Sequence, residues 1–169
     1  MLNIYIANLG KYNEGQLVGR WVDLPVTTLE LAKVYKRIGI GEGYEEVFIA
    51  DYETDIEGLE IGECSSIESL NKFTAHFENL EEEEKEILQA LLLNGSDIED
   101  GFGKLEDDAY HVYHGCEDMT DVAHQIMDER LKEFPKEIVL YFDFEAYGRD
   151  LDINGTFYQI KENIIEICA

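Results

Sequence analysis

The stretch "LNIYIANLGKYNEGQLVGRWVDLPVTTLELAKVY", residues 2–35, carries the patterns that decide the fold class. Residues 2–8 and 16–24 alternate apolar and polar side chains with the period of two expected of strands. The turn-like "LGKYNEG" joins them. Thr27 and Glu30 then stand at capping-box spacing, ahead of Leu31, Val34, Tyr35 and Ile38 on one helical stripe. Gly39 ends that helix, and "GIGEG" leads into a third strand, "YEEVFIADYE". A helix laid across a small antiparallel sheet makes 1–61 one folding segment and gives the α+β class.

Working outward, the period turns helical near residue 62. Ser65 and Glu68 read as a cap before Ile67, Leu70, Phe73 and Phe77. Asn79 and Glu82 mark the start of a second helix, with Ile87, Leu88, Leu91 and Leu92 on its buried face. Asn94-Gly95 stops it. Glu81, Glu82, Glu83 and Glu84 fall in its first turn, where carboxylates suit the positive end of the helix dipole. These helices form a second segment, 62–104. The third, 105–169, opens with a strand, "AYHVYHGC". Asp118 then caps a helix that sets Met119, Val122, Ala123, Ile126 and Met127 on one face and Asp121, Gln125, Asp128 and Glu129 on the other. Pro135 suits the first turn of a helix expected to run through "KEIVLYFDFEAYGRD". Strands "TFYQI" and "IIEIC", with a turn at Glu162-Asn163, close the chain.

The 169 residues include 38 Asp and Glu against 13 Lys and Arg, a formal charge of −25. With 45% hydrophobic residues, 10 Tyr and 8 Phe, the chain is not a disordered acidic tail. The charge is spread, at −6 over 1–60, −9 over 61–103 and −10 over 104–169. It therefore coats a folded surface rather than concentrating in one block. Cys64, Cys116 and Cys168 are odd in number and lack a CxxC pair, which fits reduced thiols. The first residues lack a basic, apolar leader pattern, and no apolar run reaches membrane-spanning length. The expectation is a soluble, cytoplasmic protein.

Each candidate for site chemistry meets a physical objection. Asp150-x-Asp152-x-Asn154-Gly155 begins like a calcium loop, but the position of the bidentate Glu is Lys161. An ammonium there repels a cation. A helix end and turn is the simpler reading, with Gly155 supplying backbone freedom. His111, His114 and Cys116 evoke zinc, yet on a strand the two histidines point to opposite faces. "GIGEG" follows a helix instead of bridging strand to helix, so it is a poor phosphate cradle. Cys64 has acidic neighbours and no evident His partner. No catalytic constellation, cofactor or metal site is assigned. The charge itself points to a basic protein surface, and a net −25 equals the phosphate charge of roughly a dozen base pairs.

"YIANLGKYNEGQLVGRWVDLP" (5–25) and "EFPKEIVLYFDFEAYGRDLDINGTF" (133–157) resemble the two best-marked segments of the ArdA antirestriction family, and "CEDMTDVA" (116–123) fits between them. The resemblance spans nearly the whole chain. It implies an elongated, curved protein of three small domains that forms a homodimer through the C-terminal one. It also implies mimicry of bent B-form DNA and inhibition of type I restriction-modification enzymes, in bacterial cells that receive plasmids or conjugative transposons.

On that reading carboxylates occupy sites meant for phosphates, without direct nucleic-acid binding. Phosphate contacts position DNA without reading sequence, so enzymes of different target sequence should be inhibited alike. The acids expected to meet the partner are Glu81, Glu82, Glu83, Glu84, Glu106, Asp107, Asp108, Glu117, Asp118, Asp121, Asp128, Glu145, Asp150 and Asp152. Two other classes stay open on residues alone. One is an acidic module binding a metal or another basic protein. The other is a hydrolase with an unrecognised carboxylate pair.

Overall fold

The computed structural model describes residues 1–41 and 43–168. The chain is α+β and divides into two compact units, Met1–Glu81 and Glu82–Ala169, each built on a three-stranded sheet.

In the first unit β1 (Leu2–Asn8), α1 (Leu9–Asn13), β2 (Gly19–Leu24), α2 (Thr28–Arg37), β3 (Val47–Thr54) and α3 (Ile67–Asn79) follow in order. β1 lies between β2 and β3, antiparallel to both. Its alternation is realised, with Leu2, Ile4 and Ile6 fully buried and Asn3 and Tyr5 on the other face. A register shift between Tyr5 and Ile6 marks a bulge against β3. The residues expected as a turn open instead with short helix α1. The buried Asn8 explains this, because its Oδ1 accepts from Lys11 N–H while its Nδ2 donates to the Ile38 carbonyl. The Thr27–Glu30 capping box forms, and Gly39 follows α2 at φ +84, which favours glycine. α3 is capped by Ser66 rather than Ser65, whose hydroxyl accepts from Gly62 N–H. Asn71 grips both backbone polar groups of Val26, tying α3 to the segment after β2.

The second unit contains α4 (Glu82–Leu93), α5 (Ile98–Glu106), β4 (Tyr110–His114), α6 (Met119–Leu131), α7 (Lys136–Val139), α8 (Phe144–Asn154), β5 (Phe157–Ile160) and β6 (Asn163–Ile167). β6 is central, between β4 and β5. Ile165 packs with Ile87, Ala90 and Leu91 of α4, and Ile164 packs with Tyr113, Cys116 and Val122. Adjacent strand residues face opposite ways, so this sheet is covered on both faces, which explains the continuous apolar run of β6. Leu88 and Leu91 are fully buried, and burial of each side chain contributes about 1.5–3 kcal/mol. The helices that the sequence groups at 62–104 divide between the units: α3 belongs to the first, α4 and α5 to the second.

Four sequence expectations change here. Asn79 does not start α4; it ends α3, with its amide donating to the Ala75 carbonyl. α5 was not expected, because Gly101 and Gly103 weaken its helical signal. A Cβ on Gly101 would stand 3.0 Å from Leu88 Cδ1, so Leu88 would have to give by a few tenths of an ångström to accept it. The single helix expected after Pro135 is two. α7 stops at Val139, and Asp143 caps α8 by accepting from Ala146 N–H. Gly155 is extended (φ −111, ψ −173) and not left-handed; a Cβ there would run into the Phe157 ring. The tight turn falls at Lys161, whose φ is +53.

Candidate functional site

The second unit holds 23 acids and 7 bases, net −16; the first holds 15 and 6, net −9. Most of the expected partner-binding acids lie in the second unit. Glu81 ends the first and is exposed.

At the start of α4 the acids meet cations. Lys161 Nζ lies 3.3 Å from Glu82 Oε2 and 3.1 Å from Glu86 Oε1. Lys85 pairs with Glu82 at 2.8 Å, and Asn163 Nδ2 donates to Glu86 Oε2 at 2.7 Å. Hydrogen bonds from Lys85 and Lys161 hold the Glu82 carboxyl below its ordinary value, while those to Glu86 and Glu82 push Lys161 up. Glu83 lies 3.8 Å from His114 Nδ1, and Glu84 is half-buried. This cluster joins α4 to the β5–β6 turn. The lysine that defeats the calcium pattern is its central cation.

Other expected acids serve helix ends. Asp118 accepts from Thr120 N–H and Asp121 N–H at 2.7 and 3.1 Å. Those backbone bonds hold its pKa below the usual carboxylate range. Asp121 in turn accepts from Glu117 N–H at 2.9 Å, so Glu117, Asp118 and Asp121 come together at the start of α6. Asp107 caps the end of α5 after Glu106, and Asp108 takes φ +52 with its carboxylate accepting from Tyr110 Oη–H. Asp128 pairs with Lys132 at 3.5 Å, and Glu145 with Arg149 at 2.7 Å.

The carboxylates of a smaller set carry charge without a cation beside them. Glu106, Asp107, Glu117, Asp150 and Asp152 are exposed and make no side-chain ion pair among the described residues. Asp150 and Asp152 stand on α8, two residues apart and so on different sides of the helix, in helical rather than loop backbone. Among the described residues no three His, Cys, Asp or Glu side chains gather as metal ligands.

Sequence reasoning missed two features. Glu86 is buried in the acidic first half of α4, and its cation partner Lys161 lies 75 residues on. Asp23, Asp51 and Glu53 share the outward face of the first sheet with Asn3 and Tyr5; the alternation of β1 was the signal available. The second unit also has an open cleft of about 1000 Å³, lined by His124, Leu131, Phe134, Val139, Leu140 and Phe144 among others. The His124 and Phe144 rings stack there at 3.7 Å. No helix among the described residues is long and apolar enough to cross a membrane.

No curated protein matches the chain. The family model of the antirestriction protein (ArdA) matches residues 4–166, and the chain belongs to that family.

Proposed function

We propose that this antirestriction protein inhibits type I restriction-modification enzymes by occupying their DNA-binding groove as a mimic of B-form DNA. The observation that carries the reading is the set of exposed carboxylates, without an ion pair among the described residues, fixed at helix ends and on α8: Glu106, Asp107, Glu117, Asp150 and Asp152. Their repulsion is already offset by folding of the scaffold, so little ordering cost remains at binding. Arginine and lysine side chains that grip phosphates are the complementary groups. The acids tied to lysine, Glu82 and Asp128, hold the scaffold and add to its field. The protein acts by occupancy and turns over no substrate. The test is inhibition of DNA cleavage by several type I enzymes of different target sequence. Similar inhibitory concentrations are expected; inhibition that tracks target sequence, or none, overturns the reading.

The partner binds a homodimer. Around α7, Phe134, Ile138, Leu140 and Tyr141 are exposed, the last two by 83% and 89%. They continue from the apolar wall of the cleft, and a second copy would cover them. Sedimentation should find a dimer in the wild type and a monomer in Leu140→Asp. A monomeric wild type contradicts the assignment.

A further inference from the structure

The outward face of the first sheet combines aromatic rings and carboxylates in a fixed pattern. Because β1 is central, its outward residues have neighbours on both sides. Asn3 is flanked by Asp23 and Glu53, and Tyr5 by Trp21 and Asp51. Such cross-strand neighbours stand about 5 Å apart. Trp21 packs edge-on against Tyr5, with centroids 5.3 Å apart at 65°, and still exposes 39% of its surface. The three acids are exposed, and among the described residues none is paired with a lysine or arginine. Arg20, although next to Trp21, is opposite Ile6 and stands on the other face. At the centre of this row, Asn3 Oδ1 is shielded from water and lacks a donor among the described residues.

We propose that this face docks an arginine side chain of a basic protein partner, with the guanidinium over Trp21 and its N–H groups turned to Asp23, two residues along β2 on the same face. The proposal rests on the reading that the partner surface is basic, and adds a contact that distinguishes arginine from lysine. A planar guanidinium stacks on an indole while donating to carboxylates; an ammonium offers only a point charge. The other occupants meet objections from the same geometry. Nucleic acid is repelled by three unpaired carboxylates. A second copy would bring like charge against like charge. Asp23 and Glu53 are two strand spacings apart, about 10 Å, too far to share one metal ion.

Trp21 is the one tryptophan of the chain, so its fluorescence reports on this face alone. The full-length protein is titrated with tetra-arginine and tetra-lysine peptides at about 0.1 M salt, by fluorescence and by calorimetry. The expected result is a saturable change in Trp21 emission with arginine binding threefold to fivefold tighter than lysine. Asp23→Asn should weaken the arginine complex. Trp21→Leu, shown to be folded by circular dichroism and read by calorimetry, should bind the two peptides equally. Unchanged emission while calorimetry registers binding overturns the proposal, as does arginine preference that survives Trp21→Leu. Inhibition of a type I enzyme by the wild type is scored separately. Its loss would remove the mimicry reading while leaving the peptide result intact.

Discussion

At the start of α4, Glu82 is met by Lys85 and Lys161, and the buried Glu86 by Lys161 and Asn163. On α8, Asp150 and Asp152 are exposed and make no ion pair among the described residues. Both regions are acidic stretches of the same unit. Lysine partners give Glu82 and Glu86 a structural task. The difference shows that acidity alone does not identify a binding group. A carboxylate already neutralised by a neighbour has less to gain from a partner's arginine than one that is not.

Removal of Lys161 has the largest expected effect. Lys161→Ala leaves Glu86 buried with only Asn163 to answer its charge. Because the lysine is itself 57% exposed, the cost is discounted from the several kcal/mol of a fully buried pair to about 2 kcal/mol. Hydrogen exchange of α4 and β6 amides reads it. Lys161→Gly loses the same cation but relieves the left-handed backbone, recovering about 1 kcal/mol. Equal protection in all three proteins would show that the cluster does not hold α4 to the hairpin.

Asp118 gives the next effect. Asp118→Ala removes the α6 cap and lowers stability at pH 7. The folded-state pKa of Asp118 is lowered by its backbone bonds, so the unfolded chain takes up this proton first. The stability it contributes is present above its unfolded value of about 3.9 and disappears as pH falls through the lower folded value. The gap between wild type and variant should therefore close in acid. Urea unfolding at pH 7 and below pH 4 checks the sign.

The smallest effects on folding belong to α8. Asp150→Asn with Asp152→Asn should leave stability within about 0.5 kcal/mol. Each change should weaken enzyme binding by a few tenths to about 1 kcal/mol. A loss of folding without loss of binding would invert the comparison.

Much of the first unit was legible because local rules agree there. β1 and β2 alternate, and Thr27, Glu30 and Gly39 bound α2 as their chemistry requires. What failed depended on contacts that are distant in sequence or on competing local bonds. Gly101 hid α5, although it packs closely against Leu88. Asp143 offered a second cap inside what looked like one helix, and the Phe142 and Phe144 rings meet beside that break. The sequence cannot show which sheet a helix covers, so α3 and α4 looked alike though they pack in different units. The candidate site was legible as charge, and Asp118 as a cap. The pairing of Glu82 and Glu86 with Lys161 was not, because the chain brings it about only by folding.

The central claim is that the protein and DNA compete for one basic groove. A type I methyltransferase core bound to labelled duplex DNA, titrated with this protein across a range of salt, tests it most directly. Full displacement of DNA, no ternary complex, and an affinity that falls steeply as salt rises are expected. A stable complex of enzyme, DNA and protein, or binding indifferent to salt, would contradict it.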